Sequence, residues 1–113
     1  MDAFAALGDP TRRQIIEMLA SSGRMSATDI ARRFQISAPA VSQHLKVLRE
    51  AGLVTMEKRA QQRLYTLNPQ AMAGVELWAQ QMAQRWEARY RLLDDVLEVE
   101  KQKLAQKGNP HHE

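Results

Sequence analysis

The sequence contains no cysteine among its 113 residues. This absence excludes disulfide bonds, thiolate metal sites, thiol redox switches and cysteine nucleophiles. No apolar run approaches the roughly 20 residues that a membrane-spanning helix needs, and the opening Met1 to Phe4 lacks the basic start of a signal peptide. The sequence also has no glycine-rich phosphate-binding loop, and His44 has no nearby serine or aspartate in a nucleophile arrangement. We therefore expect a soluble cytoplasmic protein without a membrane partner or catalytic residues, and not an enzyme.

The composition indicates one globular domain. Charged residues make up 26% of the chain and hydrophobic residues 44%, which is typical of a folded protein of this length. The net charge is only +3, but residues 36–68 carry five lysines and arginines against two acidic residues. We expect a domain over residues 1–106, a flexible tail over residues 107–113, and an acidic partner for the middle third of the chain.

The stretch from Ser37 to Gly52 predicts a helix with both ends marked. Ser37 is a favourable N-cap, Pro39 suits the first helical turn because its missing N–H would have no partner there, and Gly52 supplies a left-handed stop. An apolar stripe runs along one side of this helix at helical spacing, formed by Val41, Leu45 and Leu48. One face of the helix should therefore pack against a core.

The opposite face of the helix over residues 37–51 carries short polar side chains followed by cations. Gln43 can bond an adenine edge through two hydrogen bonds, Ser42 can reach a base or a phosphate, and Lys46 and Arg49 can neutralise phosphates. This chemistry suits a helix that reads the DNA major groove. The alternative is an ordinary amphipathic helix with a solvated face.

Two earlier segments also have the signals of helix starts. Asp9-Pro10 opens one helix, and Ser26-Ala27-Thr28-Asp29 resembles a capping box that opens a second, short helix before Ser37. Two helices joined by so brief a connection are typical of a helix-turn-helix. Arg12 and Arg13 lie in a first turn, where the helix dipole disfavours cations, so we expect them to pair with a carboxylate or, alternatively, a phosphate.

Residues 53–67 predict a β-hairpin. Two β-leaning runs, 53–59 and 63–67, are separated by Ala60-Gln61-Gln62, and the tip is flanked by Lys58, Arg59 and Arg63. A basic hairpin directly after a helix-turn-helix is a wing, which would lie along the phosphate backbone or in the minor groove. The alternative is a soluble edge ribbon that its charges protect from aggregation.

The last predicted helix carries more apolar surface than a small domain can bury. Apolar and aromatic residues recur at helical spacing from Met72 to Leu104, over roughly 55 Å at about 1.5 Å per residue if the helix is unbroken. A large exposed apolar face usually marks an interface, so part of this helix should contact a second copy of the chain. The alternative is a helix that folds back entirely onto its own core.

Four stretches of the sequence together carry a family resemblance: Ala5 to Arg12, Asp29 to Ala31, Val41 to Val54 and Arg63 to Tyr65. In their order and amino-acid sequence, these stretches resemble the ArsR family of winged-helix repressors, over residues 3 to about 95. The resemblance implies a mainly α (α+β) fold, namely a winged helix-turn-helix with N-terminal and long C-terminal dimerisation helices. It also implies a homodimer that binds a partly palindromic operator in double-stranded DNA and represses transcription.

The predicted contacts follow from this combination of residues and resemblance. DNA binding is assigned to the helix over residues 37–51 and to the wing, through Ser37, Ala38, Ala40, Ser42, Gln43, His44, Lys46, Arg49, Lys58, Arg59 and Arg63. For His44, a partly buried role in packing or in orienting a phosphate is an equal alternative. The dimer interface is assigned to Phe4, Leu7, Val75, Trp78, Met82, Trp86 and Leu93. The rival function is a winged-helix module that binds another protein.

Metal sensing is a further property of many members of the family, and here the sequence departs from them. Ser26 to Asp29 stand where a sensing member has a cysteine pair, and the last helix offers Asp94, Asp95 and Glu98 without a histidine. His111, His112 and Glu113 could ligate a metal, but a solvated pair in a loose tail is the favoured alternative. We expect no metal and no cofactor, and the effector is not identified by the sequence.

Overall fold

The computed structural model describes residues 1–108, which form five helices and three short strands. In chain order they are α1 (Ala3–Ala6), α2 (Pro10–Ser22), β1 (Met25–Ser26), α3 (Ala27–Arg33), α4 (Ala38–Glu50), β2 (Val54–Arg59), β3 (Gln62–Leu67) and α5 (Pro69–Gly108). The chain divides into two compact units, Met1–Glu76 and Leu77–Glu113. The predicted fold class, mainly helical with a small antiparallel sheet, is confirmed.

Side-chain caps begin the helices where the sequence predicted them. Asp9 accepts a hydrogen bond from the backbone N–H of Arg12, and Ser26 accepts one from the N–H of Asp29, both at 3.1 Å. Ser37 caps α4 through the N–H of Ala40 at 3.3 Å. Each bond satisfies an N–H group that has no partner inside its own helix. The starts of α2, α3 and α4 are therefore set by neighbouring residues in the sequence.

The sheet has three antiparallel strands in the order β1-β3-β2. The hairpin of β2 and β3 confirms the predicted wing, although its tip is shorter than expected: Gln62 pairs with Arg59, which leaves Ala60 and Gln61 at the turn. Strand β1 was not predicted, because two residues are too few to show an alternating pattern. It joins β3 through Met25 opposite Tyr65.

The hydrophobic core lies within the first unit and draws on every element from α1 to β3. Val41, Leu45 and Leu48 are at most 1% exposed, which confirms the apolar stripe of α4. They pack in one cluster whose other buried members are Ala6, Ile15, Ile16, Leu19, Met25, Ile30, Leu53, Val54 and Tyr65. Because the apolar stripe of α4 packs in this cluster, the polar face of α4 is directed toward solvent.

Arg12 and Arg13 have carbonyl partners and not the carboxylate that we expected. Arg12 Nε donates to the carbonyl oxygen of Ala6 at 2.6 Å, and Arg13 Nη1 donates to that of Leu7 at 2.7 Å. The last carbonyls of a helix lack intrahelical partners, so these guanidinium groups cap the end of α1. In the part of the chain that is described, neither arginine forms an ion pair.

Helix α5 begins at a cluster of hydrogen bonds around Asn68. Asn68 Oδ1 accepts from the N–H of Gln70 at 3.1 Å, while Asn68 Nδ2 donates to the carbonyl of Gly52 at 2.9 Å. The helix is unbroken from Pro69 to Gly108, so it includes residues 107 and 108, which the sequence analysis assigned to the tail. The remaining tail residues lie outside the described part. None of the helices within residues 1–108 has the length and apolarity that crossing a bilayer requires.

Candidate nucleic-acid interface

An open cleft of about 690 Å³ lies between the outer face of α4 and the wing. Helix α4 contributes four of its predicted DNA-binding residues, Ser42, Gln43, Lys46 and Arg49, and β3 contributes the cation Arg63. The full set of lining side chains is Ala27, Pro39, Ser42, Gln43, Lys46, Arg49, Glu50, Arg63 and Tyr65. Three of these are cations and one is a carboxylate. The structure therefore brings together five predicted DNA-binding residues from two elements, in a concave site with an excess of positive charge.

Four lining residues were missed by the sequence analysis. Ala27 and Tyr65 enter the site through the packing of α3 and β3 beside α4, which no local pattern shows, whereas Pro39 lies in the first turn of α4 itself. Glu50 could have been found, since it lies one residue after Arg49 and α4 ends there. Its carboxylate is the acidic group in a cleft that is otherwise polar, apolar or basic.

The two faces of the wing differ in their chemistry. Opposed residues of an antiparallel pair share a face, so Lys58 and Arg63 lie on the same side as Tyr65, which is buried. Glu57 and Arg59 lie on the other side, because successive side chains of a strand alternate. We call the side with Lys58, Arg63 and Tyr65 the inner face of the wing and the side with Glu57 and Arg59 the outer face. Only the inner face lines the cleft with α4.

The cations of the cleft and of the inner face have no carboxylate partner. Within residues 1–108, Lys46, Arg49, Lys58 and Arg63 form no ion pair, and Ser42 and Gln43 form no side-chain hydrogen bond. Lys58 and Arg63 stand directly opposite each other, an arrangement that is destabilising for like charges on a sheet. An anion placed between them would relieve this repulsion.

The outer face carries an ion-pair cluster that the sequence did not predict. Glu57 accepts hydrogen bonds from Arg59 Nε at 3.0 Å and from Arg24 Nη1 at 3.1 Å. The hydrogen bond from Arg59, its charge and the charge of Arg24 lower the pKa of the Glu57 carboxyl against a smaller opposing effect of burial. Arg59, a predicted DNA contact, is thus engaged within the chain. Arg24 gave no signal because it joins the wing only through the short strand β1.

The predicted DNA-binding residues at the N-terminus of α4, and His44, do not line the cleft. The hydroxyl of Ser37 accepts the hydrogen bond that caps the helix, Ala38 is exposed and Ala40 is half-buried. His44 is half-buried and lies close enough to Asp9 for its charge to help lower the pKa of that carboxyl, after the larger effect of the hydrogen bond from the Arg12 backbone. Both a packing role and a DNA contact remain compatible with this position of His44.

The residues assigned to a dimer interface are spread over both units. In the first unit Leu7 packs against the core, Val75 is half-buried and Phe4 is 47% exposed. In the second unit Met82 is half-buried, and the predicted residues Trp78, Trp86 and Leu93 are exposed together with Leu77, Tyr90, Leu92, Val96, Leu97, Val99 and Leu104. Most of the apolar side chains that the second unit offers for an interface are therefore exposed in the described chain. The interface itself stays a prediction.

Ligating side chains do not gather in the described part of the chain. Residues 1–108 contain no group of three or more histidine, cysteine, aspartate or glutamate side chains that could hold a metal ion. Asp94, Asp95 and Glu98 lie exposed on α5. The candidate ligands His111, His112 and Glu113 lie outside the described residues.

Comparison with known proteins identifies the family. A model described as bacterial regulatory protein, arsR family, matches residues 9–56. The transcriptional repressor SdpR of Bacillus subtilis is 38% identical over 77 residues, which are 68% of this chain and 84% of the repressor. The chain belongs to the ArsR family. A second relative, the HTH-type transcriptional regulator Rv2034 of Mycobacterium tuberculosis, is 45% identical over 73 residues, or 65% of this chain and 67% of its own length.

A solved structure supports the same assignment for this ArsR-family protein. The crystal structure of a possible transcriptional regulator for arsenical resistance has a TM-score of 0.67 and 38% identity, and the match covers 73% of this chain and 84% of that one. The resemblance drawn from the sequence is confirmed, as is the winged helix-turn-helix fold. The ArsR family is one of DNA-binding transcriptional regulators and not of enzymes.

Proposed function

We propose that this ArsR-family protein is a homodimeric repressor that binds a partly palindromic operator. The observation that carries the proposal is the cleft in which Ser42, Gln43, Lys46, Arg49 and Arg63 converge without partners inside the chain. The buried apolar stripe fixes the position of α4. Polar groups that form no hydrogen bond or ion pair within the chain can therefore bond an external ligand. Duplex DNA offers both the base edges and the phosphates that such a set can bind.

In this proposal α4 reads bases in the major groove. Gln43 bonds an adenine edge and Ser42 contacts a neighbouring base or phosphate, because they lie in the first half of the helix, which enters the groove in a helix-turn-helix. Ser37, Ala38 and Ala40 form the end that approaches the DNA, where small side chains allow close contact. His44 flanks this set.

The phosphates are contacted by cations farther along α4 and on the inner face of the wing. Lys46 and Arg49 follow the reading residues by one and two turns, and Arg63 faces them across the cleft. A phosphate near Lys58 and Arg63 would offset the repulsion between these opposed cations. With four such cations in each chain, a dimer makes about eight phosphate contacts, which corresponds to a slope of log affinity against log salt near −7.

The dimer is proposed from the apolar face of α5 together with α1. Exposed side chains such as Trp86, Leu93 and Leu97 form an apolar surface that a monomeric protein rarely leaves in water. Pairing of two such helices around a two-fold axis, with Phe4, Leu7, Val75, Trp78 and Met82 contributing, would place two α4 helices at half-sites about 34 Å apart. The occupant of this surface is therefore a second copy of the chain.

The base-reading role is tested by comparing two substitutions on two kinds of DNA. An operator duplex is first selected from a random library with the wild-type protein, and its affinity is compared with that of a scrambled duplex. Gln43→Ala should lower operator affinity by about 5- to 150-fold, that is about 1–3 kcal/mol, and scrambled-duplex affinity by less than about twofold. Arg63→Ala should weaken both duplexes about equally and reduce the salt slope. A uniform loss from Gln43→Ala would remove it from base reading.

The dimer is tested with a charge on the apolar face of α5. Leu93→Glu should shift sedimentation at micromolar concentration from dimer to monomer and lower operator affinity at least tenfold, because the two half-sites are then bound independently. Glu98→Gln, an exposed change on the same helix, is the control and should leave both measurements unchanged. A monomeric wild-type protein, or one that ignores duplex DNA at low salt while binding another protein, would contradict the proposal.

A further inference from the structure

The ion-pair cluster on the outer face of the wing joins two arginines to one carboxylate. Glu57 bonds Arg24 from a segment 33 residues earlier and Arg59 from its own strand. The side chains of Arg24, Arg59 and Glu57 are 42%, 61% and 53% exposed, so the cluster is accessible to a large ligand. The hydrogen bond and charge of Arg59, with the charge of Arg24, lower the pKa of Glu57, and its carboxylate stays ionised at neutral pH.

The inner face of the same ribbon has the opposite arrangement. Lys58 and Arg63 face each other there without a carboxylate, beside the cleft of α4. Opposite faces of one ribbon cannot lie against the same phosphate backbone at once. In the proposed operator complex, base contacts of α4 would direct the inner face at the DNA, because that face borders the same cleft, and the outer face would be directed away.

Binding to DNA of unrelated sequence lacks this constraint. Without base contacts, any exposed cationic surface can hold phosphates, and such binding is almost entirely electrostatic. We propose that Glu57 is a specificity-determining residue that lowers binding to arbitrary duplexes by holding Arg24 and Arg59 on the outer face of the wing. This inference rests on the proposed function, since it requires an operator complex in which α4 and the inner face contact the DNA.

The test substitutes Glu57 while controlling for net charge. Glu57→Gln keeps the shape of the side chain but removes the charge, and Glu17→Gln makes the same change in net charge at an exposed position of α2. For Glu57→Gln, affinity for a scrambled 30-base-pair duplex should rise about fivefold or more, and affinity for the selected operator less than about twofold. The salt slope on scrambled DNA should steepen by about 3.6, as expected for four added phosphate contacts, two from each chain of a dimer. Glu17→Gln should change either affinity by less than about twofold.

A second set of variants identifies the arginines as the cause. Replacement of Arg24 and Arg59 by glutamine in the Glu57→Gln background should return scrambled-duplex affinity to within about twofold of wild type, whereas the same double replacement with Glu57 present should have little effect. Circular dichroism confirms that each variant is folded. The inference is overturned if Glu57→Gln leaves scrambled-duplex affinity unchanged, raises both affinities equally, or matches Glu17→Gln. A wild-type protein that does not distinguish operator from scrambled DNA would instead refute the proposed function, and the inference with it.

Discussion

Asn68 is expected to contribute more to stability than its partly exposed position suggests, because one side chain serves two elements. Its Oδ1 caps α5 through Gln70, and its Nδ2 bonds the carbonyl of Gly52 just after α4. The Asn68 backbone also takes part, with its N–H bonded to the Leu53 carbonyl and its carbonyl to the N–H of Met72. Substitution of the side chain leaves these backbone bonds available, so its two roles can be measured separately.

The expected magnitudes follow from the two side-chain bonds. Asn68→Ala removes the cap, at a cost of about 1 kcal/mol, and the bond to Gly52, at a net cost of about 1 kcal/mol, for a total near 2 kcal/mol. Asn68→Ser keeps an acceptor for the cap but is too short to reach Gly52, so it should cost about 1 kcal/mol. The free energy of unfolding should therefore fall in the order Asn, Ser, Ala.

Urea unfolding, followed by circular dichroism at 222 nm and one fixed chain concentration, measures these differences. The fixed concentration is needed because association with a second chain would add to apparent stability. Gln70→Ala, which changes a neighbouring exposed side chain but keeps the backbone N–H of the cap, is the control and should change stability by less than about 0.5 kcal/mol. A loss below about 0.5 kcal/mol for Asn68→Ala, or equal losses for serine and alanine, would refute this account of Asn68.

Three further predictions concern the wing, the core and the start of α2. Ala60 has a φ of 52°, a conformation that costs about 1–2 kcal/mol for a residue with a Cβ. Glycine removes this strain at an entropic cost of about 0.5–1 kcal/mol, so Ala60→Gly should stabilise the protein by about 0.5–1 kcal/mol in urea unfolding. A loss of stability would contradict the strain. Leu48 is fully buried, so Leu48→Ala should lower the free energy of unfolding by about 3 kcal/mol in the same measurement. The control Lys46→Ala, at an exposed position of the same helix, should lower it by less than about 0.5 kcal/mol. Similar losses for the two variants would be inconsistent with the assigned core. The pKa of Asp9 is lowered from 3.8, chiefly by the hydrogen bond from the Arg12 backbone. The ionised carboxylate therefore stabilises the fold fully above pH 3.8, and this stabilisation is lost as the pH falls through the lower pKa of the folded state. In acid titration, the stability of Asp9→Asn should decline less steeply below about pH 4 than that of the wild type, and identical profiles would exclude a role for this carboxylate.

Much of the fold could be predicted because its signals are local. The caps Asp9, Ser26 and Ser37 act on N–H groups three residues away, and the stripe of α4 repeats at helical spacing. The hairpin was found from its β-leaning runs, but its tip was placed one residue too long because Ala60 replaces the glycine that normally marks a left-handed turn position. Strand β1 was missed, since its pairing with β3 joins residues 40 positions apart, as Met25 and Tyr65 show.

The candidate site also has one part that local sequence signals predict and another part that they do not. The polar face of α4 follows from the helical repeat, so Ser42, Gln43, Lys46 and Arg49 were identified together from the sequence. The wing cations were also identified, but as one set, although the strand register places Lys58 and Arg63 beside the cleft and Arg59 on the opposite side. Whether a cation is free depends on which carboxylate or carbonyl comes near it.

The sequence by itself determined where helices begin and which side of α4 is buried, because caps and periodic stripes depend on residues within a turn or two of each other. Only the tertiary structure decided which charged groups are engaged: Arg12 and Arg13 with the end of α1, and Arg24 with Glu57 across 33 residues. The physical reason is that an ion pair or a hydrogen bond requires two groups about 3 Å apart, and for segments distant in sequence that proximity arises only when the core packs.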